Sequence, residues 1–374
     1  MNSKENMLYL CLSELKGEAP SAEKVKDMDL SEIFRFSKGH KVTALVCSAL
    51  ERVTTPPKEF TEAKIKAMRK DMLLDEELRK ISAFLREKEI FYMPLKGAIL
   101  KELYPGIGLR EMSDVDIYYD SASRGEVKDY MLSRGYECIS EADSQDVYKR
   151  DPVYNFEMHH LLFSKAESET FHEYYKDINN RLQREEGNPF SLKMTPEDFY
   201  IFIILHEYKH FSSYGTGVRS LLDVIVLLEY YEETLDWNYI RCELEKTGLA
   251  EFEQKQRLLT KKLICPHWEE AMDKEDRELL SYFFESGVYG KTDTGIVNKL
   301  TGKAGNNDRK VSLWMKIKYV FRRIFPPFEY YRLNYPFFYK HKILIPFCVI
   351  YRLFLSVFRR NDFVKTEIRT LKEK

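Results

Sequence analysis

Residues Phe91 to Asp120 read FYMPLKGAILKELYPGIGLREMSDVDIYYD, and they decide the fold. The stretch reads as an extended segment ending in Lys96-Gly97, a short helix from Ala98, an irregular loop through Gly106 and Gly108, and a second strand carrying Asp114 and Asp116. Side chains alternate across a pleat, so carboxylates two apart point the same way, and Val115, Ile117 and Tyr119 face a core on the other side. Holding like charges that close is unfavourable without a cation between them, which suits a hard, oxygen-loving metal. The turn at Gly97 opens a helix whose N–H groups, with Lys96 beside them, suit phosphate oxygens. Carboxylates for a metal beside a phosphate cradle point to nucleotide chemistry.

The signature LKGAIL, then Leu-Tyr, then Arg110-Glu-Met-Ser-Asp-Val-Asp-Ile resembles the polymerase-β-like nucleotidyltransferase superfamily. Within it, the chain is most similar to the bacterial family known as uncharacterised nucleotidyltransferases. Superfamily members carry Gly followed by Gly or Ser before the Asp-x-Asp strand. Here Ala98 follows the glycine, Lys96 precedes it, and the loop to Asp114 is longer. The resemblance implies an α+β protein whose small mixed sheet is flanked by an N-terminal helical cap and a C-terminal helical domain. It implies a metal-dependent transfer of a nucleoside monophosphate from an NTP to a hydroxyl acceptor, which can be a small molecule, RNA or protein. Asp114 and Asp116 would hold magnesium, or manganese. Lys96, Gly97, Ala98, Arg110 and Ser113 would contact the phosphates.

Past Asp116, a helix is expected over Ser123 to Arg134 with Gly135 as its stop. Extended segments follow around Tyr136 to Ile139 and Asp146 to Lys149, then Tyr154 to Phe163 beyond the Asp151-Pro152 turn. On that last strand Asn155, Glu157, His159 and Leu161 share one face. Glu157 is thus placed to be a third carboxylate beside the Asp pair, and the resemblance assigns the same residue as metal ligand and catalytic group. The bland alternative is a solvent-facing Glu on an edge strand. His159 is a candidate substrate contact.

Both ends of the chain carry helical periodicity. Met7 to Leu15, Ile33 to Phe36, Val42 to Leu50 and Ile65 to Leu85 place apolar residues three and four apart. Thr195-Pro196-Glu197-Asp198 starts another helix, with Thr195 able to cap and Pro196 suited to the first position. That helix contains His206-Glu207-Tyr208-Lys209-His210, a literal H-E-x-x-H that could hold zinc with Glu207 as base. Lys209 sits between the two supposed ligands, and the third ligands on offer, Asp223 and Glu229, lack a recognisable zincin context, so a metalloprotease is the lesser alternative. Under the family resemblance His206, His210 and Arg219 become possible substrate contacts, with Asp223 spaced to pair with Arg219. A buried polar network is the plainer use of the same residues.

With 374 residues, 44% hydrophobic and 32% charged, the chain has material for more than one core, and disorder is excluded. The organisation expected is a cap over 1–88, a nucleotidyltransferase core over 89–165, a helical domain over 166–308 and a basic segment over 309–374. Six scattered cysteines without Cys-x-x-Cys spacing suggest neither a disulfide framework nor a thiolate zinc site, so a reducing cytoplasm is expected. Net charge is −1, yet residues 310–374 hold fifteen Lys and Arg against four Asp and Glu, leaving −12 for the first 309 residues. That basic, aromatic-rich segment reads as terminal helices packed on an acidic body with their charges solvated. Peripheral contact with an anionic membrane, or RNA, is the other use of such a pattern. A catalytically silent nucleotide- or partner-binding module remains the alternative to an enzyme.

Overall fold

A computed structural model describes residues 2–302, 304–305, 311–359 and 361–373. The fold is α+β, with one seven-stranded mixed sheet between helical ends. The strands are β1 (Tyr92–Pro94), β2 (Val115–Tyr119), β3 (Glu137–Glu141), β4 (Gln145–Arg150), β5 (Tyr154–His159), β6 (Gln183–Glu185) and β7 (Asn188–Lys193). Their order across the sheet is β3-β4-β5-β2-β1-β7-β6. The described residues form two compact units, 2–207 with 218–272, and 208–217 with 273–373. The sequence boundary placed at 308 lies outside the described residues.

In the first unit, alternation along β2 does what the sequence pattern requires. Val115, Ile117 and Tyr119 go into a core with Phe156 and Met158 of β5 and with Leu74, Ile81 and Leu85 of the Lys58–Glu87 helix. Val127 and Met131 of the Arg124–Ser133 helix close the same layer. That helix stops where Gly135 adopts φ +79°, a conformation that an L side chain resists. Strands β2 and β5 run parallel with Asp116 opposite Glu157 and Tyr118 opposite His159. The layer of helices thus covers one face of this pair and leaves the acidic residues on the other.

Two features depart from the sequence reading. Strand β5 ends at His159, because the amides of His160 and Leu161 both donate to the Ser144 carbonyl and bend the chain away. A hairpin, β6 and β7, extends the sheet where only helices were expected, with Tyr92 of β1 paired in parallel to Ser191. Its sequence, QREEGNPFSLK, is polar and largely exposed, so it lacks the apolar alternation that marks a strand. The helix Pro196–Ser213 begins as its sequence demands, with Thr195 Oγ1 accepting from the Asp198 amide at 3.1 Å.

In the second unit, Tyr282 donates its hydroxyl to the Phe211 carbonyl at 2.7 Å, and the two rings lie 4.7 Å apart. Ile296, Leu300 and Val311 form one small core, and Tyr331, Cys348 and Val349 another. Large apolar side chains stay exposed along the helices Leu313–Ile324 and Ile345–Arg359, while Arg352 is buried. Apolar faces covered and charges solvated was the expectation for this segment; at these positions the arrangement is reversed. Among the described residues, no helix is long and apolar enough to cross a membrane.

Candidate functional site

The open face of the β2–β5 pair gathers charge. Asp116 Oδ1 accepts from Lys96 Nζ at 2.6 Å and lies 2.8 Å from His159 Nε2. His159 Nε2 is 3.8 Å from Glu157 Oε2, which in turn accepts from Gln145 Nε2 at 2.7 Å. One ligand atom each from Asp116, Glu157 and His159 fall within 4.8 Å of one another. Among the described residues, this is the one such group of three metal-capable side chains. Asp114 lies immediately before β2.

Electrostatics ties these groups into one system. Burial pushes Asp114 up from the ordinary carboxylate value, and the Asp116 charge adds to it. Glu157 is pushed up to about 7 by burial first, then by Asp116 and Asp114. Burial acts on Asp116 in the same direction, but Lys96 and the His159 hydrogen bond outweigh it and hold Asp116 well below the usual range. Three carboxylates therefore share one nearby ammonium, and two of them resist ionisation. A divalent cation removes that conflict, and oxygen donors at this density suit magnesium or manganese, with His159 adding a nitrogen that favours the softer of the two. The residues present fit such an ion.

The turn that brings Lys96 here is constrained. Lys96 adopts φ +43° and ψ −110°, a sparsely populated conformation for any side-chain-bearing residue. Gly97 is closely packed: an added Cβ would lie 2.6 Å from Arg110 Nη1 and 2.7 Å from Met112 Cε, so any larger residue would push those side-chain ends aside. The helix Gly97–Leu100 has only four residues, and the amides of Ala98 and Ile99 already donate to the carbonyls of Leu95 and Lys96. Those two amides are therefore already satisfied within the turn. What the turn presents is the Lys96 ammonium and a close-packed Gly97.

Arg110 also corrects the sequence reading. It was expected on phosphate, yet its guanidinium forks onto Asp223, Nε to Oδ1 at 2.7 Å and Nη2 to Oδ2 at 2.9 Å. Tyr104 donates to the same carboxylate at 2.8 Å. A buried guanidinium demands such a partner. Asp223 is thereby taken from Arg219, whose Nη1 instead donates to the Glu111 carbonyl at 2.8 Å. Both arginines still lower the Asp114 pKa by their charge. Lys70 Nζ donates to the Ser113 carbonyl at 3.0 Å, fixing the backbone before the acidic strand. Glu207 of the H-E-x-x-H stretch is buried and accepts from Gln256 at 2.6 Å, which is core bonding and not the setting of a base for metal-bound water. His206 is partly buried and His210 exposed.

Gln145 is the residue that the sequence reading missed. It stands opposite His159 in the β4–β5 hairpin, whose register also pairs Val147 with Glu157. Only a hairpin with the three-residue loop 151–153, centred on Pro152, puts it there; a two-residue turn at Asp151-Pro152 would set Gln145 opposite Met158 instead.

A family model described as an uncharacterised nucleotidyltransferase matches residues 26–264. The chain belongs to that family. No curated protein and no solved structure matches it. The matched region of this nucleotidyltransferase-family chain contains all seven strands and every side chain of the acidic cluster.

Proposed function

We propose that the chain is a metal-dependent nucleotidyltransferase of the polymerase-β-like kind, moving a nucleoside monophosphate from an NTP to a hydroxyl acceptor. The observation that carries this reading is the convergence of Asp116, Glu157, His159 and Lys96 on one face of the β2–β5 pair, beside Asp114. Asp114, Asp116 and Glu157 would hold magnesium or manganese. When bound, the ion supplies Lewis-acid neutralisation of charge on the triphosphate. Lys96 adds a fixed positive charge at the same place, where burial keeps it from being screened. In the transfer, the acceptor oxygen bonds to the α-phosphorus, the bond from that phosphorus to the bridging oxygen breaks, and pyrophosphate leaves. Glu157, or a water it orients, takes the hydroxyl proton.

One observation favours a second reading, a nucleotide-binding module without turnover. Lys96 and His159 already converge on the same oxygen of Asp116, so the cluster is partly neutralised by its own chain. The deciding experiment offers each of the four NTPs, labelled at the α-phosphate, with magnesium or manganese and an acceptor panel of small hydroxyl compounds, RNA and protein. Label transfer with pyrophosphate release, lost in Asp116→Asn, supports the enzyme. Saturable nucleotide binding without either product supports the module.

A further inference from the structure

The helix Leu313–Ile324 has a stripe formed by Leu313, Trp314, Ile317, Val320, Phe321 and Ile324, three and four residues apart. On a water-soluble protein that stripe faces the core. Here Trp314 is 71% exposed, Leu313, Ile317, Val320 and Phe321 are also exposed, and no residue of the helix is buried. Its opposite side carries the packing instead: Tyr319 packs on the Ile296–Leu300–Val311 core and donates to Glu367 at 2.5 Å.

The helix Ile345–Arg359 repeats the inversion. Phe347, Ile350, Tyr351 and Phe354 point outward, Phe354 being 60% exposed. Arg352 points inward at 8% exposure, donating to the carbonyls of Ile324 and Arg323 and lying over the Tyr330 and Tyr331 rings. A helix that buries Arg352 and exposes Phe347 and Phe354 is patterned for an apolar surrounding on its outer side.

Charge identifies the surrounding. Lys318 and Arg322 border one edge of the exposed stripe and Lys316 the other. Beside Trp314, a cavity of about 500 Å³ gathers Lys299, Lys318, Arg322 and Arg323 in its wall. The segment from 310 to 374 carries an excess of eleven positive charges, so two copies of this face repel one another and an anionic sheet attracts it. The helices are too short to span a bilayer, at 12 and 15 residues. Aromatic and aliphatic side chains bordered by Lys and Arg match a helix lying in the headgroup region.

We infer that the helices Leu313–Ile324 and Ile345–Arg359 dock this protein onto an anionic lipid bilayer, with phosphates of the headgroups entering the basic cavity beside Trp314. The inference is independent of nucleotidyl transfer. It is tested with full-length protein and vesicles of phosphatidylcholine with or without phosphatidylserine. Sedimentation with the anionic vesicles should exceed that with neutral ones by about tenfold or more and weaken as salt rises. Trp314 emission should shift to the blue on binding, a shift absent from Trp314→Phe, which still binds. The pair Trp314→Ser with Phe321→Ser, and separately Lys318→Glu with Arg322→Glu, should each reduce binding about tenfold or more while circular dichroism stays unchanged. Absence of binding, or equal binding to both vesicles, overturns the proposal. So does a dimer in light scattering that the serine pair dissociates without any vesicle binding, which would assign the face to a second copy. Retention of polyuridylate in place of vesicles would assign it to RNA.

Discussion

The helices Lys58–Glu87 and Leu313–Ile324 share one kind of repeat, apolar residues three and four apart, and turn it opposite ways. The first drives Leu74, Ile81 and Leu85 into the sheet and leaves its charges in water. The second leaves Trp314 and Phe321 outside and binds inward through Tyr319. A similar opposition holds for buried charge. Around the acidic cluster, Lys96 is sunk against a carboxylate partner; in the second unit Arg352 is sunk against carbonyls and rings. The first arrangement gathers charge at one site, and the second turns Arg352 inward while phenylalanines face out. One unit turns its apolar stripe inward, whereas the other leaves large apolar side chains exposed beside basic ones.

The strongest way to break this contrast is at Asp116. Asp116→Asn should lower transfer activity by about a thousandfold or more, because the proposed ligand of the cation and the partner of Lys96 go together. It should also destabilise the fold by about 1–3 kcal/mol, because Lys96 loses its hydrogen-bonded carboxylate while Glu157 and Asp114 stay near it. Adding Lys96→Met to the same chain should restore stability in denaturant titration without restoring activity. If the single variant is as stable as the parent, the Lys96–Asp116 pair is not the buried contact that the geometry shows.

Phe156 comes next. It lies fully buried between the sheet and the Lys58–Glu87 helix, so Phe156→Ala should cost about 3–5 kcal/mol in urea unfolding. A loss below about 1 kcal/mol would mean that this layer can collapse around the gap.

Glu207 supplies a pH test. Burial raises its carboxyl from 4.5 to about 8, only partly offset by the Gln256 hydrogen bond. A group that binds its proton more tightly when folded adds stability below its unfolded pKa and loses that contribution as pH rises through the folded one. Wild-type stability should therefore decline between about pH 5 and 8, with this group contributing a slope of up to about 1.4 kcal/mol per pH unit. Glu207→Gln should flatten that slope and stabilise the protein at pH 8. Equal slopes in the two proteins would show that the carboxyl titrates in solvent.

Much of the site was legible because strand alternation is local. Asp116 and Glu157 each sit where period two puts them, and Val115, Ile117, Phe156 and Met158 follow on the other face. Contacts made over long separations were not legible. Arg110 meets Asp223 across 113 positions, and a sequence shows that a basic residue needs a partner but not which carboxylate the fold delivers. Gln145 depended on a hairpin register, and β6 and β7 on polar residues with no strand signal. The inverted helices show a further limit. Periodicity reveals that a helix has two faces, while which one turns outward is settled by the packing of Tyr319 and Arg352.

The smallest effect sharpens the contrast most. Phe354 and Phe156 are the same side chain, and by composition they are interchangeable. Phe354 is mostly in water, so Phe354→Ala should change unfolding free energy by about 1 kcal/mol or less, well below the cost at Phe156. Its transfer to lipid would nonetheless bury most of a phenyl ring, so the same variant should weaken partition onto anionic vesicles severalfold. Urea titration and vesicle sedimentation on one preparation separate the two roles. A large stability loss at Phe354 would place it in a core like that of Phe156. Unchanged stability together with unchanged partition would remove Phe354 from the docking face and confine that face to the Trp314 helix.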